Sequence, residues 1–143
     1  MDLAEIRQGV ATLLEQIDGC RVFVSIPEAL AASGITALVV AAGEPYVVYT
    51  EGAGRVNQND INLRVVVVPP QQSGARNILA EIDALLSCGA DQLRSIRTTL
   101  GTDISASGTA CALSTLQAQI RTISINDMTA VVGEVELLVK ARC

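Results

Sequence analysis

Arg64 to Leu86, RVVVVPPQQSGARNILAEIDALL, is the stretch around which the rest of the chain arranges itself. Four consecutive valines, Val65 to Val68, offer apolar side chains to both faces of a strand, which places that strand in the middle of a sheet. Pro69 and Pro70 stop it. Ser73 is a candidate helix cap, and Ile78, Leu79, Ile82, Leu85 and Leu86 then make the stripe of an amphipathic helix closed by Cys88-Gly89. Strand, loop and helix in this order can also cradle phosphate, but that chemistry needs free backbone N–H groups, glycines at the bend and usually a lysine. Two prolines remove donors at the mouth of this loop, Gly74 is its one glycine and Arg76 its one cation. The loop is expected to turn the chain from sheet into covering helix and to hold no phosphate.

Working outward, Asp2 and Glu5 are spaced as a capping pair, and Leu3, Ile6, Val10, Leu13, Leu14 and Ile17 recur at helical intervals before Gly19. Arg21 to Ile26 alternates as a strand, with Val22, Val24 and Ile26 on one side and Phe23 on the other, and Pro27 ends it. Ile35 to Val40 and Tyr46 to Tyr49 read as two strands of a hairpin around Gly43-Glu44-Pro45. Between Glu51 and Asp60, EGAGRVNQND has only Ala53 and Val56 as apolar residues and predicts an exposed excursion, after which Ile61 to Val68 resumes extended structure. A shorter helix is expected from Asp91 to about Leu100, with Leu93, Ile96 and Leu100 on one side. Leu116 to Ile125 is extended and of mixed polarity on both faces. Gly133 to Ala141 alternates cleanly, Val135, Leu137, Val139 and Ala141 inward and Glu134, Glu136, Lys140 and Arg142 outward. The pattern is that of an α+β domain: a mainly antiparallel mixed sheet of about five to six strands, with an N-terminal helix and two further helices packed on it.

No linker, internal repeat or low-complexity run divides the 143 residues, half of them hydrophobic, so residues 1–143 are read as a single domain. A chain of this length can bury roughly 68–70% of its unfolded surface in one core. The longest nearly apolar run, Ile35 to Gly43, is far short of the ~20 residues of a spanning helix, and no membrane contact is expected. Asp2 and Glu5 stand where a secretory signal would be positive, which points to a cytosolic start. Cys20, Cys88, Cys111 and Cys143 contain no C-x-x-C pair; the first three are read as small hydrophobes and Cys143 as a frayed end. A net charge of −5 makes the surface repel phosphate backbones, and Phe23, Tyr46 and Tyr49 are too few aromatics for a base-stacking platform.

Histidine is absent, which removes Ser-His-Asp and Cys-His catalysis and the commonest metal ligand. Glu134 and Glu136, two apart on one strand, could act as acid and base, but alternating charges on such a strand more often form its solvated face. Asp103 beside Ser105 to Thr109 is read as a turn and not as a nucleophile site. No cofactor and no enzymatic activity are expected.

The order of these pieces resembles the tail terminator proteins of long-tailed, siphovirus-type bacteriophages. The likeness runs through the N-terminal helix, VFVSIPEALAASGITALVV, YVVY, the polar excursion, INLRVVVV, ARNILAEIDALLSCGADQLRSI with its Ser95-Ile96 helix start, and the terminal AVVGEVELLVKA, and so covers nearly the whole chain. The resemblance implies a structural virion protein of the tail neck, assembled in the host cytoplasm. Such proteins form a ring of six copies that ends tail-tube polymerisation and joins the tail to the head completion or stopper protein, while DNA passes through unheld. It implies three partners: further copies of the chain, the tail tube protein and the stopper. The excursion is then the candidate arm against a neighbouring subunit or the tube, with Arg55 as anchoring cation beside Glu51, Asn57, Gln58, Asn59 and Asp60. Glu134 and Glu136 are candidates for an acidic lumen that lets DNA slide. A head-tail stopper could share this topology, and from a different class a small ligand-binding domain would use the Pro69 to Arg76 loop.

Overall fold

The computed structural model describes residues 2–25, 34–49, 58–101, 110–125 and 127–142. Helix α1 (Leu3–Leu14) starts where Asp2 Oδ1 accepts hydrogen bonds from the Ala4 and Glu5 N–H groups at 2.9 and 3.2 Å. A side-chain cap of this kind contributes about 1 kcal/mol by satisfying amide donors that the helix leaves open. Ile6, Val10, Leu13 and Leu14, with Ile17 just beyond the helix, form the stripe it buries.

Strands β1 (Cys20–Phe23), β2 (Thr36–Val48), β3 (Gln58–Val68), β4 (Ala110–Ile125) and β5 (Met128–Arg142) form one sheet among the described residues, in the order β1-β2-β3-β5-β4. The β1/β2 pair is parallel and the other three are antiparallel. The valine run is central, as its two apolar faces require. Ile61, Leu63, Val65 and Val67 join the main core with α1, α2 (Ala75–Leu86) and α3 (Ile96–Leu100), whereas Val66 and Val68 pack on the opposite face with Phe23, Ala37, Val39, Ala130, Val132 and Ile123. The inward set of the last strand, Val135, Leu137, Val139 and Ala141, is buried as its alternation predicts.

Local signals mislead in several places, the first being the strand expected to run to Ile26, which as β1 ends at Phe23. The expected hairpin at Gly43-Glu44-Pro45 does not form: β2 continues past it, with Gly43 to Tyr46 bulging opposite Asn62 between the Ala42–Leu63 and Val47–Ile61 pairs. The cause lies on the neighbouring strand, where Asn62 Nδ2 donates to the Pro45 carbonyl at 2.8 Å and Gly43 lies against Asn62 so closely that a Cβ would sit 2.9 Å from its carbonyl oxygen. Gln58, Asn59 and Asp60 do not belong to an exposed excursion. They open β3 opposite Arg142, Ala141 and Lys140 of β5, and Asn59 is buried. The long terminal strand supplies backbone partners that polar composition cannot reveal. Ser73 does not cap α2; Gly74 occupies that position, and Ser73 Oγ donates to the Pro70 carbonyl within a 3-10 turn, Gln71–Ser73. The helix expected from Asp91 is only α3, capped by Ser95 Oγ accepting from the Thr98 N–H at 3.1 Å, and Leu93 is left exposed. Cys88, expected as a small buried hydrophobe, is exposed; Cys20 is half-buried.

The opening loop has a part that its composition hides. Gln71 Nε2 donates to the carbonyls of Pro69 and Val131, and Gln71 Oε1 accepts from the Val131 N–H at 3.0 Å, so one side-chain amide stitches the loop to β5 as a backbone amide would. Helix α2 then crosses β5 at Gly133, where a Cβ would lie 3.0 Å from Ile82 Cγ2.

Candidate functional site

Of the residues expected to form an arm, Glu51, Arg55 and Asn57 lie outside the described residues, as do Asp103, Ser105 to Thr109 and Cys143. Asp60 faces Lys140 across the β3/β5 register, with Oδ1 3.9 Å from Nζ. A pair this open to solvent contributes little, typically under ~1 kcal/mol.

The two candidate lumen carboxylates differ sharply. Glu134 is 4% exposed and is not part of a solvated face. Its Oε2 lies 2.8 Å from Arg121 Nη1 on β4, its Oε1 lies 3.6 Å from Arg64 Nη1 on β3, and Gln119 Nε2 donates to Oε1 at 3.5 Å. The register explains this: β5 runs between β3 and β4, so an outward residue on it is flanked by side chains from both neighbours. Arg64 is itself fixed, Nε donating to the Ala42 carbonyl at 3.2 Å. Glu136 is less buried and accepts from Gln117 Nε2 at 2.6 Å. Each carboxylate thus has its own partners.

A second polar cluster lines an open cleft of about 530 Å³ between the opening loop and the turn after α1, bordered by Thr36, Pro70, Ser73, Asn77, Glu81 and Arg94. Arg94 Nη1 donates to Glu81 Oε2 at 2.9 Å, Nη2 to Glu81 Oε1 and, at 3.4 Å, to Cys20 Sγ, and Nε to the Asp18 carbonyl at 3.0 Å. Thr36 Oγ1 donates to Glu81 Oε1 at 2.8 Å. The Arg94 hydrogen bonds hold the Glu81 carboxyl below its ordinary range, with Thr36 adding to the effect against burial. Burial pushes the Cys20 thiol up, outweighing the nearby guanidinium, so the sulfur is not an activated nucleophile. Four of the five guanidinium N–H groups are committed here, which leaves little to grip an anion. Arg76, the cation of the opening loop, is exposed and does not border the cleft.

Neither cluster was visible in the sequence, because Arg94 and Glu81, or Arg121 and Glu134, meet only through tertiary contact. The one trace belongs to the sheet, where Arg64 and Arg121 stand on the strands that flank Glu134. Among the described residues no group of three or more cysteine, aspartate or glutamate side chains could hold a metal ion, and no helix is long and apolar enough to cross a membrane. Neither a known protein family nor a curated protein matches the chain.

Proposed function

We propose that the chain is a structural subunit of the tail terminator type, which assembles into a ring at the head-proximal end of a phage tail, ends tube polymerisation and meets the head connector. The observation that carries this is how the polar groups are used. Among the described residues both charged clusters are consumed in internal pairs, while the sheet keeps a sixteen-residue edge strand, β4, with side chains exposed on both of its faces. A fold of this kind offers contact surfaces, and ring formation needs head-to-tail contacts of about 1,000 Å² or more per neighbour. The element order and the mixed sheet with an N-terminal helix agree with the resemblance drawn from the sequence. The net charge of −5 suits a channel through which DNA slides, with Glu136 the more exposed of the two candidate carboxylates.

Negative-stain images of the purified protein should show annuli, and tails made without it should be overlong. Filled heads that leak, with tails of normal length, would instead mark a stopper. Single chains at every concentration, even mixed with tail-tube subunits, would remove both.

A further inference from the structure

We propose that Gln71 is the latch of a flap formed by the adjoining ends of β4 and β5, Arg121 to Ile125 and Met128 to Val132. On one side β5 is paired by β4 as far as Met128, opposite Ile125. On its other side β3 accompanies it only to Gly133, opposite Val67. Beyond that rung the sheet narrows, among the described residues, to a ribbon of two strands. Such ribbons are marginal in water by themselves and need a further anchor.

The anchor is placed where β3 leaves the sheet. Carried two residues past Val67, the β3/β5 register would set Pro69 opposite Val131, and proline has no N–H to give the ladder. Gln71 supplies what Pro69 lacks. Its Nε2 donates to the Val131 carbonyl at 3.1 Å and to the Pro69 carbonyl at 2.8 Å, and its Oε1 accepts from the Val131 N–H at 3.0 Å. One side chain thus adds a rung to β5 that the backbone cannot. Gln71 belongs to the 3-10 turn that leads into α2, so the same rung ties the ribbon to the start of that helix.

The remaining hold on the ribbon comes from one face. Ala130, Val132 and Ile123 pack with Val39, Val66 and Val68 on the side away from the helices, whereas Thr122, Ser124 and Thr129, on the helix side, are exposed. Without the Gln71 amide the half-buried Val131 would keep an N–H and a carbonyl that water reaches only if the ribbon moves off the loop. Loss of the latch therefore favours opening of the ribbon as a unit, while the part of β5 that β3 pairs stays in place.

Amide hydrogen exchange on the full chain tests this. Backbone groups alternate sides along a strand, and those of Val131 face Gln71, so the amides of Arg121, Ile123, Ala130 and Val132 bond within the ribbon and those of Val135, Leu137 and Val139 bond to β3. In the wild-type chain the four ribbon amides should exchange through one shared opening, faster than the three that β3 pairs. Gln71→Leu, similar in size and without hydrogen-bonding groups, should lower protection at Val131 and at those four together by about tenfold and leave the other three unchanged. Loss at Val131 alone would make Gln71 a local partner and overturn the latch. Equal loss at Val135, Leu137 and Val139, no loss anywhere, or wild-type ribbon amides as protected as those three would also overturn it.

Discussion

Glu81 and Arg94 show how much one side-chain pair can organise. Through it, α2 is tied to the turn after α1 at the Asp18 carbonyl and to the start of β2 through Thr36. Because hydrogen bonds in the folded state hold the Glu81 carboxyl below its ordinary value of 4.5, it contributes stability that is complete above that value and is lost as pH falls through the lowered one. Glu81→Gln is expected to cost about 1 kcal/mol near neutrality, at the low end for a bond to a charged group since the pair is partly solvated. Urea unfolding at steps from neutral to acid pH checks this. The gap between wild type and variant should narrow once pH drops below 4.5, and a gap of constant size would show that the carboxylate's charge is not what stabilises. Nothing in the sequence near position 81 announces this role, because its partners are 13 and 45 residues away.

Two glycines, whose importance is invisible in their immediate sequence, set the course of β2 and the seating of α2. At Gly43 an added Cβ would fall 2.9 Å from Asn62 Cβ and from its backbone oxygen, so a strand would have to move. At Gly133 the nearest atom, 3.0 Å away, is the methyl Cγ2 of Ile82, which can give by a few tenths of an ångström. Overpacking of this kind costs about 1–3 kcal/mol. Gly43→Ala should therefore destabilise more than Gly133→Ala, and thermal unfolding of the two variants side by side tests the order; equal losses would mean that β2 can shift freely along β3. The same close approach is why Gly43-Glu44-Pro45, turn-like in composition, does not reverse the chain. Turn chemistry describes what a segment favours alone, and here Asn62 holds the segment against β3 as a bulge within β2.

For the molecule as a whole, the paired ends of β2 and β3 decide what can be removed. Val48 lies opposite Asp60, so deleting residues 51–57 leaves Tyr49, Thr50, Gln58 and Asn59 to connect them, within the usual span of a hairpin loop of about two to five residues. Such a deletion variant should fold, with an unchanged circular dichroism spectrum and a urea midpoint near that of the intact chain, and yet fail to end tail-tube growth in an assembly reaction. Normal-length tubes would overturn the proposal that the segment is an arm. Net charge also acts at this scale: at −5 the chain as a whole disfavours phosphate backbones, although Glu134 with its two arginines contributes nothing negative locally.

Periodicity and punctuation alone determined the class of fold, the central place of Val65 to Val68, the N-terminal helix with its Asp2 cap and the inward face of the last strand, because each depends on neighbours within a few residues or on burial that alternates with fixed period. Tertiary structure alone decided that β2 continues past Pro45, that β3 begins at Gln58, that Glu134 is buried between two guanidiniums and that β4 ends the sheet. These four depend on which strands lie side by side and in what register, and strand pairing joins residues far apart in the chain through backbone groups that every residue carries, so side-chain pattern has no means of encoding it locally.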